Sequence, residues 1–161
     1  MKKFQFSLDH VRDYRDRLLD EETGKLQRLQ AERDRLEQQI NQLKTDFAQV
    51  SEEMRKAQAE GITALEQRGF SMQLESIRMQ VRELTEQLEA AKVRVEQQTR
   101  VVVAANQEVS KLDKLRDRQY EDWQAGVRKA EEERIEELVS RAISARPPAD
   151  PEPAGIPLER R

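Results

Sequence analysis

Cysteine is absent from this chain of 161 residues, and histidine occurs once, as His10. Without cysteine the chain can hold no disulfide, thiolate zinc site, iron–sulfur cluster or cysteine nucleophile. A single histidine also argues against a histidine-rich metal site and against a conventional Ser-His-Asp triad. We therefore expect no metal and no cofactor.

Long hydrophobic runs are missing as well. The longest uninterrupted apolar segment is Val101–Ala105, far short of the roughly 20 residues that a membrane-spanning helix needs. The opening residues, Met1–Phe6, are basic but do not lead into the apolar segment of a secretory signal. These features lead us to expect a cytoplasmic protein.

Aromatic residues make up only 4% of the chain, whereas charged residues reach 38% and hydrophobic residues 36%. Globular domains average about 25% charged residues, so the apolar side chains here suffice for a narrow seam and not for a thick core. The formal net charge is −3, and this near balance does not favour a nucleic-acid-binding protein. We expect neither a nucleic-acid partner nor a small-molecule substrate.

Proline, the strongest helix breaker, does not occur in residues 1–146. All five prolines lie in residues 147–161. The sequence therefore predicts a folded part over residues 1–146 and a disordered, proline-rich tail over residues 147–161.

Glycine marks a turn in the middle of the folded part. Gly61 and Gly69 bracket a short segment, and Gly61 suits the left-handed position that ends a helix. Thr63 and Glu66 have the spacing of a capping box, which starts a helix. We expect a turn over about residues 61–69.

Apolar residues recur in steps of three and four on both sides of this turn. Such steps average 3.5 residues and keep one stripe of a helix against a partner along a left-handed supercoil. The stripe before the turn consists of Leu36, Ile40, Leu43, Phe47, Val50, Met54 and Ala57. The stripe after the turn consists of Phe70, Leu74, Ile77, Val81, Leu84, Leu88, Ala91, Val95, Gln98, Val102, Ala105, Val109 and Leu112.

Two long helices joined by a short turn fold back on each other. The sequence therefore predicts an all-α fold, a long antiparallel two-helix coiled-coil hairpin, with helix one over about residues 7–60 and helix two over about residues 70–143. A turn centred near residue 65 would place Leu43 opposite Leu88. Helix two is the longer, so the residues after Gly126 are expected to extend beyond the end of helix one.

This extension keeps apolar spacing at Ile135, Leu138 and Ala142. One interpretation is a solvated helix held by mixed ion pairs. The other is a helix that docks its apolar stripe into another protein. The pattern alone leaves both open.

Two segments carry an order of residues that heptads alone do not explain. The stretch Lys3–Arg15 contains Phe4, Phe6, Leu8, Val11 and Arg15 in the pattern Lys-Phe-x-Phe-x-Leu-x-x-Val, with an arginine four residues on. Residues 103–120 contain an alanine-containing stretch and then a lysine–leucine segment that ends in a basic residue, a glutamine and a tyrosine. Over about residues 3–143 the chain resembles the FliJ-type flagellar export proteins. Arg12 departs from the pattern, because the family usually has leucine there.

The resemblance implies a non-enzymatic component of the flagellar type III export apparatus, at the cytoplasmic face of the inner membrane at the base of the flagellum. Such proteins are similar to the central stalk of rotary ATPases. The end of the coil lies within the ring of the export ATPase hexamer, the coil contacts the membrane export gate protein, and some members escort export chaperones.

On this basis we expect two partner-binding surfaces. The ATPase-ring surface lies at the end opposite the turn and comprises Phe4, Phe6, Val11, Arg15, Leu115, Arg118, Tyr120 and Trp123. The export-gate surface lies near the turn and draws on Leu43, Phe47, Val50, Phe70, Leu74 and Ile77. For most of these last six, a purely structural role in the seam is the alternative.

Other functions stay open at the level of sequence. A generic coiled-coil scaffold would dimerise, with both arms continuing into partner chains. An export chaperone or adaptor would need exposed apolar residues at the turn, which Ile62, Leu65, Phe70 and Met72 could supply. An enzyme is not expected, because the carboxylates lie on solvated helix faces and no GxxxxGK[ST] phosphate loop is present.

Overall fold

The fold is known from a computed structural model that describes residues 3–145. It consists of two helices, α1 (Asp9–Glu60) and α2 (Ala64–Ser144), of 52 and 81 residues. The described residues contain no strand, and the two helices pack antiparallel as a hairpin, which confirms the predicted fold class. The predicted disordered tail, residues 147–161, lies outside the described residues.

The connection between the helices uses the residues that the sequence indicated. Gly61 ends α1 with a φ of +97°, and its N–H donates to the carbonyl oxygen of Ala57 at 3.0 Å. Glycine adopts this backbone conformation without steric cost. The Thr63 N–H donates to the Glu66 carboxylate at 2.8 Å, and the Glu66 N–H donates to the Thr63 hydroxyl at 3.2 Å. These reciprocal bonds form the predicted capping box.

Because the capping box starts α2 at once, the helix begins at Ala64, more than one turn before the expected Phe70. Gly69 accordingly lies inside α2 and not at the end of the turn. The non-helical connection is thus limited to the three residues from Gly61 to Thr63.

The shorter connection changes the register of the seam. Leu88 lies in one buried cluster with Leu36, Ile40 and Ala91, so the expected pairing of Leu88 with Leu43 is wrong by one heptad. A slip of a whole heptad leaves the same stripe facing the partner helix. This is why the two stripes could be recognised although their register could not.

The described residues divide into two compact units. The first is Phe6–Leu115, which contains the connection and the seam, and the second combines the residues before Phe6 with those from Arg116 onward. Among residues 3–145, all the buried side chains are apolar and belong to the first unit: Phe6, Leu36, Ile40, Val50, Ile77, Leu88, Ala91, Val95 and Val109. They form a narrow seam, in keeping with the small apolar content.

Gln98 is the polar residue of the α2 stripe, and its side chain has a partner on α1. Its amide donates to the Glu22 backbone carbonyl at 3.0 Å and to the Glu22 carboxylate at 2.6 Å. Hydrogen bonds from Lys25 and then from Gln98 lower the pKa of Glu22. A polar pair in a coiled-coil seam favours one register over others, so this contact holds the two helices in their observed alignment.

Candidate partner-binding surfaces

Three aromatic side chains meet in the second unit, and we call Phe4, Tyr120 and Trp123 the aromatic cluster. Tyr120 and Trp123 lie three residues apart on α2 and therefore share a face; their rings stack at a centroid distance of 5.7 Å. Phe4 packs edge-on to Tyr120 at 5.2 Å and lies 6.0 Å from Trp123. Such pairs are favourable beyond their buried area, so the cluster fixes the segment before α1 against α2.

The aromatic cluster borders a shallow pocket. Arg116 and Asp117 line this pocket together with Phe4 and Tyr120, and Tyr120 is 42% exposed. The pocket thus combines apolar ring surface with one cationic and one anionic side chain at its edge, a combination that is common in protein-binding sites.

The remaining residues expected at the ATPase ring do not join this cluster. Phe6 is only 4% exposed and therefore serves as a core residue of the Phe6–Leu115 unit. Val11 and Leu115 are exposed, as are Arg15 and Arg118. The expected set is therefore one buried residue, one aromatic cluster and four separately exposed side chains.

Arg12, the departure from the family pattern, makes a contact that the sequence does not indicate. Its Nε donates to the carboxylate of Asp113, and this hydrogen bond raises the pKa of the guanidinium. Both side chains are partly exposed. Because the two residues are 101 positions apart, no local motif could have revealed the pair, which joins the first turns of α1 to α2.

The six residues expected at the export gate all belong to the seam. Val50 and Ile77 are buried, and the other four, Leu43, Phe47, Phe70 and Leu74, are half-buried. None of the six is exposed, so a partner could reach them only through the grooves on the two flanks of the seam.

These two grooves differ in charge. Asp46 and Glu53 line one groove, with Leu43, Val50 and Ile77 at its base.

The opposite groove is lined by Lys44, Phe47 and Arg78. The Arg78 guanidinium carbon lies 5.2 Å from the centre of the Phe47 ring, within the range of a cation–π contact. Arg78 is thus part of the packing around Phe47, and replacing it would alter more than surface charge.

The last part of α2, residues 128–144, is exposed throughout, and we call it the extension. Its large apolar side chains fall at helical spacing on one face and are all more than half exposed: Ile135, Leu138, Val139 and Ile143. Ion pairs occur elsewhere on its surface, between Lys129 and Glu133 and between Arg141 and Glu137. An apolar stripe of this width is typical of a helix face that packs on a partner.

Within residues 3–145, no helix has both the length and the apolar content to cross a membrane. No group of metal-ligating side chains there is arranged to hold a metal ion.

Comparison with known proteins gives one positive result. Neither a curated protein nor a solved structure matches the chain significantly. The family model of the flagellar FliJ protein matches residues 4–147, nearly the whole folded part, and this confirms the resemblance carried by the opening aromatic residues and the segment before Tyr120. The family consists of non-catalytic export proteins. The chain therefore belongs to the FliJ family and has a role related to flagellar protein export.

Proposed function

We propose that the chain is a coiled-coil stalk that links the export ATPase hexamer to the membrane export gate protein and so promotes the export of flagellar proteins. It acts by binding and not by catalysis, at the cytoplasmic face of the inner membrane at the flagellar base. Family membership supports the setting. The observation that carries the proposal is the apolar face of the extension, which is fully helical and yet uncovered.

The extension has the features of a helix that docks in a groove. Ile135, Leu138, Val139 and Ile143 follow the spacing i, i+3, i+4 and i+8, which presents them on one side. Burial of each such side chain is worth about 1.5–3 kcal/mol. A groove that covers this face would therefore gain enough to offset part of the cost of association.

The charges beside this face indicate the character of the groove. From residue 131 onward, the five glutamates Glu131, Glu132, Glu133, Glu136 and Glu137 outnumber Arg134 and Arg141, whereas Arg128 and Lys129 lie before them. Charge complementarity steers association and favours the correct partner. We therefore infer that the ATPase surface that receives the extension is apolar at its base and basic at its rim, with the aromatic cluster as a further contact.

The gate contact is assigned to the grooves near the turn, since the half-buried edges of Leu43, Phe47, Phe70 and Leu74 are accessible there. Export chaperones are further partners under this proposal. A scaffold that exchanges arms between chains is not needed to fill the seam, because α1 and α2 of one chain already bury it.

The ATPase contact can be tested on the purified chain with two matched double variants. Ile135→Glu with Leu138→Glu places two charges on the apolar face, and Ser140→Glu with Ser144→Glu places the same charges outside it. We expect the first to weaken binding to the export ATPase hexamer at least tenfold and to reduce swimming, and the second to change neither. Equal binding by both variants would remove the extension from the interface.

Deletions separate the extension from the tail. Removal of residues 127–161 should leave the hairpin folded, because within the part of the chain that the structure describes the buried side chains lie before residue 116. The deletion should nevertheless weaken ATPase binding and motility. Removal of residues 147–161 alone should do neither. If the shorter deletion abolished binding, the tail and not the extension would be the part that binds the ATPase, and the stalk proposal would be wrong.

The gate contact needs changes that spare the packing. Gln49→Ala with Gln73→Ala alters the rim of the acidic groove, whereas Gln38→Ala with Gln87→Ala makes the same exchange at exposed positions away from it. Weaker gate binding by the first pair alone is the expected result. Unchanged gate binding and swimming would rule out this groove as the gate contact.

A further inference from the structure

Near the connection, α2 carries large apolar side chains on the side away from the seam. Met72 and Met79 each follow a seam residue, Phe70 or Ile77, by two positions, which is about 200° around a helix. Leu65 precedes Met72 by one heptad and so continues the same row. Leu65, Met72 and Met79 are 79%, 68% and 65% exposed. We call these three residues the outer row.

The outer row has no counterpart on α1. The residues two positions after the seam residues Leu36, Leu43 and Val50, which are spaced by heptads, are polar and exposed: Gln38, Thr45 and Glu52. A hairpin that needed only solvation on its outside would have polar residues on both helices. These three exposed apolar residues lie in one row on α2 and not on α1, so the difference points to a partner on the outer face of α2.

Gly69 and Ser76 lie beside the outer row, one helical turn after Leu65 and Met72, and both are exposed. A Cβ atom added to Gly69 would meet nothing within 4 Å, so packing within this chain does not require glycine there. Glycine inside a helix costs about 1 kcal/mol relative to alanine. Small side chains along one flank allow another backbone to approach closely, and this would explain a glycine that the hairpin itself does not use.

The opposite flank of the outer row alternates in charge at heptad spacing, with Arg68, Glu75 and Arg82. In an antiparallel pair of identical helices, each flank meets the same flank of the other helix, so that a two-fold axis at Met72 pairs Arg68 of each copy with Glu75 of the other. The same axis places Gly69 of one copy against Ser76 of the other. A parallel pair would instead place the charged flank against the small one.

We propose that the outer row binds a second copy of this chain in antiparallel orientation, with Met72 on the two-fold axis and Leu65 of each copy against Met79 of the other. Under this two-fold symmetry, the large, the small and the charged side chains of one copy each meet a suitable side chain of the other copy. Glu75 lies 3.5 Å from Arg78 of its own helix, but both side chains are more than 60% exposed, so Glu75 remains accessible to the second copy.

The contact is expected to be weak. Three large side chains per copy bury much less than the roughly 1,600 Å² of a standard interface, so the chain is a monomer when dilute and pairs as its concentration rises. This pairing leaves both hairpins intact, unlike an arm-exchanged scaffold, and it does not depend on the proposed ATPase or gate contacts.

Disulfide formation tests the geometry, since the chain has no cysteine of its own. Met72→Cys should form a disulfide-linked dimer under mild oxidation, because the axis brings the two Cα atoms near the required separation of about 4.4–6.8 Å. Thr45→Cys, at the matching outer position of α1, should crosslink at least tenfold more slowly. A mixture of Leu65→Cys and Met79→Cys should give mainly the mixed dimer. Equal rates for Met72→Cys and Thr45→Cys would overturn the proposal.

Sedimentation equilibrium over a range of concentrations measures self-association and so tests the proposed charge pairs between the copies. Circular dichroism confirms that each variant is helical. Arg68→Glu should weaken self-association at least tenfold, and Arg68→Glu combined with Glu75→Arg should restore it. A chain that stays monomeric up to millimolar concentration would overturn the proposal. So would a double variant that fails to recover, and the outer row would then be assigned to a different protein partner.

Discussion

The centre of the seam and the extension contain the same kinds of side chain in opposite environments. In the seam, the cluster residues Leu36, Ile40, Leu88 and Ala91 are between 1% and 8% exposed. In the extension, Ile135, Leu138, Val139 and Ile143 are between 51% and 68% exposed. Helical period determines which residues share a face, but whether that face is buried depends on what packs against it.

Because of this difference in burial, the seam contributes to the stability of the fold and the extension is available to bind a partner. Each aliphatic side chain that the seam buries contributes about 1.5–3 kcal/mol to folding, whereas the same side chain in the extension contributes only when another protein covers it. Substitutions in the seam should therefore change the free energy of unfolding, and substitutions in the extension should change the affinity for a partner.

The largest expected effect comes from one substitution made in both regions. Leu88→Asp removes a buried leucine and leaves a carboxylate in an apolar cluster, which should destabilise the hairpin by about 5 kcal/mol or more. Leu138→Asp should leave the free energy of unfolding almost unchanged. Urea unfolding followed by circular dichroism measures both. Similar losses at the two positions would mean that the extension is covered in the isolated chain.

The next largest effect tests the register of the seam, that is, which residues of α1 and α2 lie opposite each other. Cysteines at Leu36 and Leu88 should form an intrachain disulfide readily and raise the melting temperature, by an amount that corresponds to about 4 kcal/mol for a loop of this length. Cysteines at Leu43 and Leu88 should react much more slowly. Preferential crosslinking of the second pair would restore the register that the sequence predicted, and crosslinks only between chains would replace the hairpin by an arm-exchanged dimer.

Features that depend on neighbouring residues were predictable from the sequence. The two seam stripes follow from heptad spacing, the positive φ of Gly61 follows from a chain reversal between two helices, and the capping box follows from Thr63 and Glu66 three residues apart. The register was not predictable to the same degree, because it depends on the length of the connection, and Gly69 suggested a longer turn than α2 allows.

In the candidate surfaces, too, some contacts could be predicted from the sequence and others depend on the folded alignment of the helices. The meeting of Phe4 with Tyr120 and Trp123 could be expected from two arms that come together at one end. The burial of Phe6 could not be expected, because a partner-binding aromatic residue and a core aromatic residue look alike in sequence. The partner of Arg12 was equally hidden, since a bond across 101 positions depends on the folded alignment of the helices.

Two glycines provide a smaller contrast between the paired region and the approach to the extension. Gly61→Ala should destabilise the hairpin by about 1–2 kcal/mol, because an L residue is strained at a φ of +97°. Gly126 lies within α2, and a Cβ there would meet nothing within 4 Å. Gly126→Ala should therefore strengthen the helix by up to about 1 kcal/mol.

Denaturant unfolding measures the change at Gly61, and hydrogen exchange of the amides around residue 126 measures the change in the local helix. Slower exchange in Gly126→Ala, with normal binding to the ATPase, is the expected outcome. A stabilised hairpin in Gly61→Ala would contradict the observed end of α1.

The smallest effect concerns two glutamates, one in each region. The Thr63 N–H and then the Thr63 hydroxyl donate to Glu66, and these bonds lower the pKa of the carboxyl group below its ordinary value of 4.5. A group whose pKa is lower in the folded state stabilises the fold above its unfolded pKa, and this contribution is lost as the pH falls through the folded value. Glu66→Gln should therefore lower the melting temperature slightly at pH 7, and this effect should diminish as the pH falls below the ordinary pKa.

Glu136→Gln in the exposed extension is the matched control for Glu66→Gln, because it makes the same chemical change where no capping box forms. Other carboxylates with lowered pKa values, such as Glu22 and Glu52, keep titrating in both variants. The informative quantity is therefore the difference between each variant and the parent chain as a function of pH. We expect this difference to shrink below about pH 4.5 for Glu66→Gln, whereas Glu136→Gln, which removes no capping hydrogen bond, should barely change the melting temperature at pH 7. A pH-dependent difference of equal size for Glu136→Gln would mean that the capping box does not distinguish the connection from the extension.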